Sequence, residues 1–111
     1  MAQQGRGFTK KSKDYITQHA EQVRFMRILQ EAQQLRWKKN LDYGSAYRSH
    51  GSFGVAVRMT DKMMRINNLL KKESMVKENL RETAMDLLNY TGMFILLLDE
   101  EKNANIHTKQ G

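Results

Sequence analysis

The sequence predicts an all-α protein with three main helices and room for a short fourth. Three observations support this. The 111 residues include no proline, which breaks helices. Apolar residues recur every three or four positions over long stretches, and no stretch alternates apolar and polar residues as a strand does. A chain of this length forms one small domain, so we expect its helices to assemble into an oligomeric helical bundle.

The first helix is predicted from about residue 14 to residue 39, where Ala, Gln, Glu, Arg and Leu dominate. Its apolar side chains follow helical spacing: Ala20, Val23, Met26, Ile28, Ala32 and Leu35. Residues 1–12 are rich in Gly, Gln and basic residues and are predicted to be a mobile basic arm. Residues 40–54 are rich in Gly, Ser and Asp and are predicted to be a loop.

The second helix is predicted from about residue 55 to residue 72, with a core stripe of Met59, Met63, Ile66 and Leu70. Ser74 is the predicted N-cap of the third helix, which reaches about residue 100. Residues 13–100 then form a single all-helical domain, and residues 101–111 a polar tail. The run at residues 93–98 is apolar nearly all round, which favours contact with another subunit.

Composition restricts the partners. The chain has 19 Lys and Arg against 12 Asp and Glu, a formal charge of +7, which favours anionic partners such as nucleotides or nucleic acid. It has no cysteine, so disulfide frameworks and thiolate metal sites are excluded. No apolar segment opens the chain, and no run approaches the ~20 residues of a membrane span. We expect a cytoplasmic protein with no membrane partner.

Two constellations lie on the predicted helices. Glu78, Glu82 and Asp86 recur every fourth residue, which places the three carboxylates on one helix face. Such a row can hold Mg²⁺ beside a phosphate, or it can be a solvated face whose charges pair with Arg and Lys. On the second helix, four charged residues share one side by the same spacing rule. The four residues are Arg58, Asp61, Lys62 and Arg65. The three cations suit a phosphate group, and the alternative is an ordinary solvent-exposed helix face.

A third candidate is the predicted loop. Tyr43, Tyr47 and Phe53 offer aromatic faces on which a base can stack. Gly54 is predicted to lead into the second helix, whose first N–H groups can bind an anion. The loop is not a P-loop, because it lacks the GK[ST] ending and no strand precedes it. The alternative for this segment is that its glycines only turn the chain and that its aromatic residues belong to the core.

Read together, these segments resemble the small phage proteins called nucleotide modification associated domain 1. The similarity covers roughly residues 40–98. It rests on Asp42-Tyr43-Gly44, on Arg58-x-x-Asp61-Lys62-x-x-Arg65-x-x-Asn68-Leu69 and on Glu78-x-x-x-Glu82-Thr83-x-x-Asp86-Leu87-x-Asn89-Tyr90. The resemblance implies an all-helical phage protein, related to the MazG and dimeric dUTPase type of nucleotide pyrophosphohydrolase, that binds a nucleotide and forms a homo-oligomer.

By this resemblance, Asp61, Glu78, Glu82 and Asp86 correspond to the acidic positions of the family, and Arg58, Lys62 and Arg65 to the basic ones. The chain has Glu82 where the family pattern commonly has Asp. The glutamate pair that the hydrolases carry on a preceding helix is not evident, since the first helix holds only Glu21 and Glu31.

Three functions follow as hypotheses. The favoured one is a protein in the cytoplasm of an infected host that sequesters a nucleotide without cleaving it, such as a cyclic dinucleotide defence signal, for immune evasion. It has no catalytic residue and no cofactor, and its ligand-binding residues are Tyr43, Tyr47, Phe53, Arg58, Asp61, Lys62 and Arg65. The alternative is a Mg²⁺-dependent nucleoside triphosphate pyrophosphohydrolase of phage nucleotide metabolism, with Mg²⁺ on Glu78, Glu82 and Asp86. Nucleic-acid binding comes third, supported by the charge and by the basic N-terminal arm with Arg6, Lys10, Lys11 and Lys13, but by no groove-reading motif.

Overall fold

The computed structural model has helices and short turns, and no strand, in the residues it describes, which confirms the all-α prediction. It describes the backbone of residues 2–43, 46–72 and 77–110, and the side chains of residues 14–39, 46–72 and 79–104. These ranges contain three α-helices and one 3₁₀ turn. The helices are α1 (Ala2–Tyr43), α2 (Gly51–Leu70) and α3 (Lys77–Gln110), and the 3₁₀ turn is Ala46–Arg48. Among the described residues, no helix has an apolar stretch long enough to cross a membrane.

All three helices differ from their predicted limits. Helix α1 begins at Ala2 and α3 continues to Gln110, so each extends beyond the range that apolar periodicity indicates. Helix α2 begins at Gly51, before the predicted start at residue 55. The predicted N-cap, Ser74, lies outside the described residues, and the mobility expected for residues 1–12 stays a prediction.

The chain divides into two units, Met1–Gln34 and Leu35–Gly111. The first unit consists of the greater part of α1. In its described residues Ala32 is buried, whereas Val23, Phe25 and Met26 are exposed. The second unit contains the end of α1, the 3₁₀ turn, α2 and α3, and it holds every candidate site residue whose side chain is described.

Helices α2 and α3 pack as an antiparallel pair. The start of α2 bonds the far part of α3, through Ser52 and Glu101, while the later Arg65 bonds Thr83 near the beginning of α3. Five of the buried or half-buried positions on α2 repeat with spacings of four and three residues, the pattern of two helices that cross at a shallow angle: Val55, Met59, Lys62, Ile66 and Leu69. Five of those on α3 show the same spacing: Thr83, Leu87, Tyr90, Phe94 and Leu97.

The predicted core stripe of α2 was therefore wrong in two of its four members. Met63 is 45% exposed and Leu70 is 64% exposed, whereas Val55 and Leu69 are buried. Counting from Met59 in steps of four and three can lead to either Met63 or Lys62, and apolarity favoured the methionine. The structure places Lys62 on the inner face instead, and this is what brings its charge to α3.

Candidate functional site

The centre of the candidate site is the carboxylate of Asp86, which two lysines share. Lys39, near the end of α1, lies with its Nζ 2.6 Å from Oδ1 of Asp86. Lys62 of α2 lies with its Nζ 3.2 Å from Oδ2. Both carboxylate oxygens thus accept a hydrogen bond from an ammonium group, and side chains from three helices meet at one residue.

The charge state of Asp86 follows from this setting. Partial burial disfavours the ionised form, but the hydrogen bonds and charges of Lys39 and Lys62 outweigh it, so the pKa of Asp86 lies below its ordinary value. At neutral pH the three side chains therefore carry one negative and two positive charges. The excess positive charge suits an anionic ligand that approaches the exposed sides of the lysines.

One turn earlier on α3, a third cation joins this face. Arg65 of α2 donates from Nε to Oγ1 of Thr83 at 3.2 Å. Thr83 is buried, and its hydroxyl donates in turn to the carbonyl oxygen of Asn79 at 2.7 Å. The two terminal nitrogens of Arg65 make no hydrogen bond to another side chain in the described ranges, so they can bind an anion. Lys39, Lys62 and Arg65 thus form a cluster, which we call the cation cluster, around Asp86 and Thr83.

The other two charged residues predicted on α2 stay outside this cluster. Arg58 and Asp61 are exposed, and neither makes a side-chain bond to another residue in the described ranges. The spacing rule places all four charges within an arc of about 100° on α2, so it does not separate Lys62 and Arg65, which bond α3, from Arg58 and Asp61, which are exposed.

The predicted carboxylate row is only partly visible. The side chain of Glu78 lies outside the described residues, Glu82 is exposed, and Asp86 is the member bound by lysines. Within the side chains that are described, no three His, Asp or Glu lie close enough together to hold a metal ion. For Asp86 the pairing with Lys and Arg residues, which was the alternative to a metal site, is what the geometry favours.

The segment predicted to be a loop is mostly helical, and Tyr47 and Phe53 lie on different elements. Phe53 lies in the first turn of α2 and is 79% exposed. The side chain of Tyr43 lies outside the described residues. Tyr47 stands on the 3₁₀ turn with the guanidinium of Arg36 5.8 Å and that of Arg48 5.2 Å from its ring centroid. Arg36 also donates from Nη2 to the hydroxyl of Tyr47 at 3.4 Å, a long hydrogen bond.

Helix α2 begins at Gly51, whose φ of +63° suits glycine, and the N–H group of Ser52 in its first turn already has an anionic partner. Glu101 of α3 accepts a hydrogen bond from the Ser52 N–H at 3.0 Å and another from the Ser52 hydroxyl at 2.8 Å. A carboxylate at a helix N-terminus interacts favourably with the helix dipole. The anion that we expected at this helix end is thus supplied by the chain itself.

Sequence reasoning missed Lys39 and Arg36, and on α3 it missed Glu100, which pairs with Arg48, and Glu101. Lys39 was taken as the last residue of the first helix, and Arg36 lies one turn before it, so both point to the same side of α1. The sequence does contain a signal for this contact. A four-and-three spacing on α2 that includes Lys62 makes this lysine face α3, where it needs a carboxylate as partner. Asp86 is the carboxylate that the antiparallel register supplies.

A comparison with protein-family models matches residues 39–98 to nucleotide modification associated domain 1. The chain belongs to this family. The match begins at Lys39 and includes all the residues around Asp86, whereas Arg36, Glu100 and Glu101 lie outside it. No curated protein and no solved structure matches the chain. Membership in the nucleotide modification associated domain 1 family supports a role connected with nucleotides.

Proposed function

We propose that this protein binds a nucleotide through its phosphate groups and holds it without cleaving it. The observation that supports this most strongly is the engagement of Asp86: both of its oxygens are bound by ammonium groups, at 2.6 Å and 3.2 Å. A carboxylate in that state orients cations. A magnesium ion would have to displace at least one lysine to reach it.

The cation cluster supplies what a phosphate group requires. Lys39 and Lys62 offer point charges held at known places, and Arg65 offers a planar fork of donors. Asp86 and Thr83 fix these side chains before a ligand arrives, which reduces the entropy lost on binding. The local charge is positive after Asp86 is counted, so no metal ion is needed to neutralise a phosphate.

We further propose that the purpose of this binding is sequestration, by a phage protein in the cytoplasm of its bacterial host, of a nucleotide signal such as a cyclic dinucleotide of antiviral defence. A sponge of this kind needs many sites, and we propose that the chain forms a homo-oligomer. Large exposed apolar side chains on all three helices support association: Trp37, Phe53, Met64 and Ile95 are each more than half exposed. Static light scattering of the purified chain measures the subunit number directly.

The alternative is a magnesium-dependent pyrophosphohydrolase related to the all-α MazG and dUTPase type. One observation favours it: Glu82 is exposed one turn before Asp86, so its carboxylate is available to a metal ion. Under this alternative Mg²⁺ is held by Glu78, Glu82 and Asp86 and activates water for attack on a phosphate. At least one of the two lysines would then have to leave Asp86 when the metal binds.

One experiment separates the two proposals. The protein is incubated with a panel of linear and cyclic nucleotides, with EDTA or with Mg²⁺, and bound material is released by heat and identified by chromatography. Intact nucleotide recovered in EDTA supports sequestration. Product that forms with Mg²⁺ and is lost in Glu82→Gln supports hydrolysis and contradicts sequestration.

The matched variants change one lysine within α2 and one just after it. Lys62→Ala removes a member of the cation cluster and should abolish recovery of nucleotide. Lys71→Ala removes an equal charge at an exposed position after α2 and should leave recovery unchanged. Equal losses in both variants would show that overall charge attracts the nucleotide, without a defined site.

A further inference from the structure

We propose that one face of α1, within its first unit, is the surface that binds a second copy of this chain. Six positions on this face alternate steps of three and four residues, and we call them the seam: Ile16, His19, Val23, Met26, Gln30 and Gln33. Such spacing is the a and d pattern of paired helices. The seam rests on the homo-oligomer proposed above but not on nucleotide binding. It lies outside residues 39–98, so membership in the family does not assign it.

The first unit of α1 exposes almost all of its described surface. Every side chain from residue 14 to residue 28 is exposed, and of the side chains described in this unit only Ala32 is buried. On the seam, Ile16 is 64% exposed and Met26 is 54% exposed. A helix in water gains most of its stability by packing an apolar face against a partner. A partner that covers the seam therefore stabilises this part of α1.

The seam has no Asp, Glu, Lys or Arg, although the whole chain has a formal charge of +7. At about 100° per residue, its six positions cover an arc of roughly 100° on α1. The charged residues described in this unit lie outside that arc, within another of about 140°: Asp14, Glu21, Arg24, Arg27 and Glu31. Copies of a basic protein repel each other, so an uncharged surface is where two of them can approach. The seam also offers no Lys or Arg to a polyanion.

The polar members of the seam can bond the same residues in a second copy. The side-chain amides of Gln30 and Gln33 each carry donors and an acceptor, and a neutral histidine such as His19 carries one of each. The ring of His19 stacks on the ring of Tyr15 beside the seam, with the centroids 6.2 Å apart, so these two side chains are already ordered. Ordered side chains lose less entropy when a partner binds. Two seams in contact therefore leave no charge unpaired between them.

The apolar area on this face of α1 is close to what a stable dimer needs. The exposed fractions are 69% for Tyr15, 64% for Ile16, 37% for Val23 and 54% for Met26. With ~150–200 Å² for each large apolar residue when fully exposed, these fractions amount to ~400 Å² per copy. A standard interface covers ~800 Å² per partner, and a little over half of it is apolar, or ~450 Å². A second copy of the same face thus supplies nearly the apolar area of a standard interface.

Sedimentation velocity of the full chain and of three variants tests the seam. Met26→Glu places a charge on it, and we expect the dissociation constant of the assembly to rise at least ~100-fold, so that the mass falls by half or more at the same protein concentration. Met26→Leu keeps the side chain apolar and should keep the mass. Phe25→Glu is the matched control, because Phe25 is also 54% exposed but lies about 100° around the helix from Met26, outside the seam. It should leave the mass unchanged.

Hydrogen exchange locates the contact on α1 and verifies that the variants fold. In the wild type, the amides of residues 14–28 should exchange at least ~10-fold more slowly than in Met26→Glu, because a paired helix opens less often. The amides of α2 and α3 should exchange alike in both proteins. Dilution of the wild type below the dissociation constant of the assembly should remove the protection of residues 14–28.

Three results would overturn the seam. If the wild type sediments as a monomer and residues 14–28 stay unprotected at every concentration, a second copy does not cover the seam, and the proposed homo-oligomer fails with it. If the wild type is an oligomer whose mass Met26→Glu leaves unchanged, or one that Phe25→Glu dissociates equally, the seam fails alone. Nucleotide binding is measured separately by recovery of bound nucleotide, so its failure is distinguishable from each of these results.

Discussion

Replacing Asp86 by Asn removes the negative charge between Lys39 and Lys62 while it nearly preserves the size of the side chain. The two ion pairs differ in quality, with distances of 2.6 Å and 3.2 Å, and the side chains are 55% exposed for Lys39, 30% for Lys62 and 25% for Asp86. Solvent screens pairs this exposed, so each contributes no more than ~0.5–1 kcal/mol. We expect Asp86→Asn to lower the free energy of unfolding by about 1–2 kcal/mol at neutral pH.

In a domain of this size, that loss corresponds to a fall in Tm of ~4–8 °C, measured by circular dichroism. The direction of the pKa shift of Asp86 determines how this stabilisation changes with pH. The folded pKa of Asp86 lies below the ordinary value of 3.8, so its stabilisation is present above that pH and is lost as the pH falls through the folded pKa. The difference in Tm between wild type and variant should therefore shrink as the pH falls below 3.8 and vanish well below the folded pKa.

Asp61→Asn is the matched control, since Asp61 is exposed on α2 and makes no side-chain bond within the described ranges. It should leave Tm nearly unchanged at every pH. The stabilising role of the two ion pairs is refuted if Asp86→Asn unfolds at the wild-type temperature at pH 7, or if its deficit persists undiminished in acid. A persistent deficit would show that the packing of the side chain matters and that its charge does not.

Four further substitutions test the packing. Gly54→Ala should destabilise the protein by about 1–3 kcal/mol, because the new Cβ would lie 2.5 Å from Cβ of His50. Gly92→Ala should stabilise it by up to ~1 kcal/mol, since Gly92 lies inside α3 with open space at the Cβ position and alanine favours helix. Leu97→Ala should cost about 2–5 kcal/mol, whereas Leu96→Ala should cost less, since Leu97 is 5% exposed and Leu96 is 43% exposed. Urea titrations rank the four variants against wild type, and a reversed order in either pair would contradict the packing described.

The helical class was predictable because composition and spacing both reflect local physics. The absence of proline and the recurrence of apolar residues every three or four positions both concern residues within one or two helical turns of each other. Such local patterns favour helix wherever they occur in the chain. Helix limits were less predictable. Helices α1 and α3 continue into polar residues. A helical segment without apolar residues has no apolar stripe, so the sequence pattern does not show where such a helix begins or ends.

The site was predictable in its residue types and less so in its contacts. Lys62, Arg65 and Asp86 were singled out from spacing, and the structure brings them together. Lys39 was missed because its contact with Asp86 joins residues 47 positions apart, and a single sequence carries no local signal for such a pair. Tyr47 and Phe53 were predicted to act together, but one stands on a turn and the other on an exposed face of α2, a difference that depends on where α2 begins.

The most direct test of a metal-free phosphate site is the affinity of Asp86→Asn for nucleotide, in EDTA and in Mg²⁺, against that of the wild type. If Asp86 only holds the two lysines, the variant gains positive charge but loses their preorganisation, and calorimetry should show that nucleotide binding persists in EDTA, with Mg²⁺ giving no improvement in either protein. If wild-type binding requires Mg²⁺ and the variant loses it, Asp86 is a metal ligand and the metal-free phosphate site is contradicted.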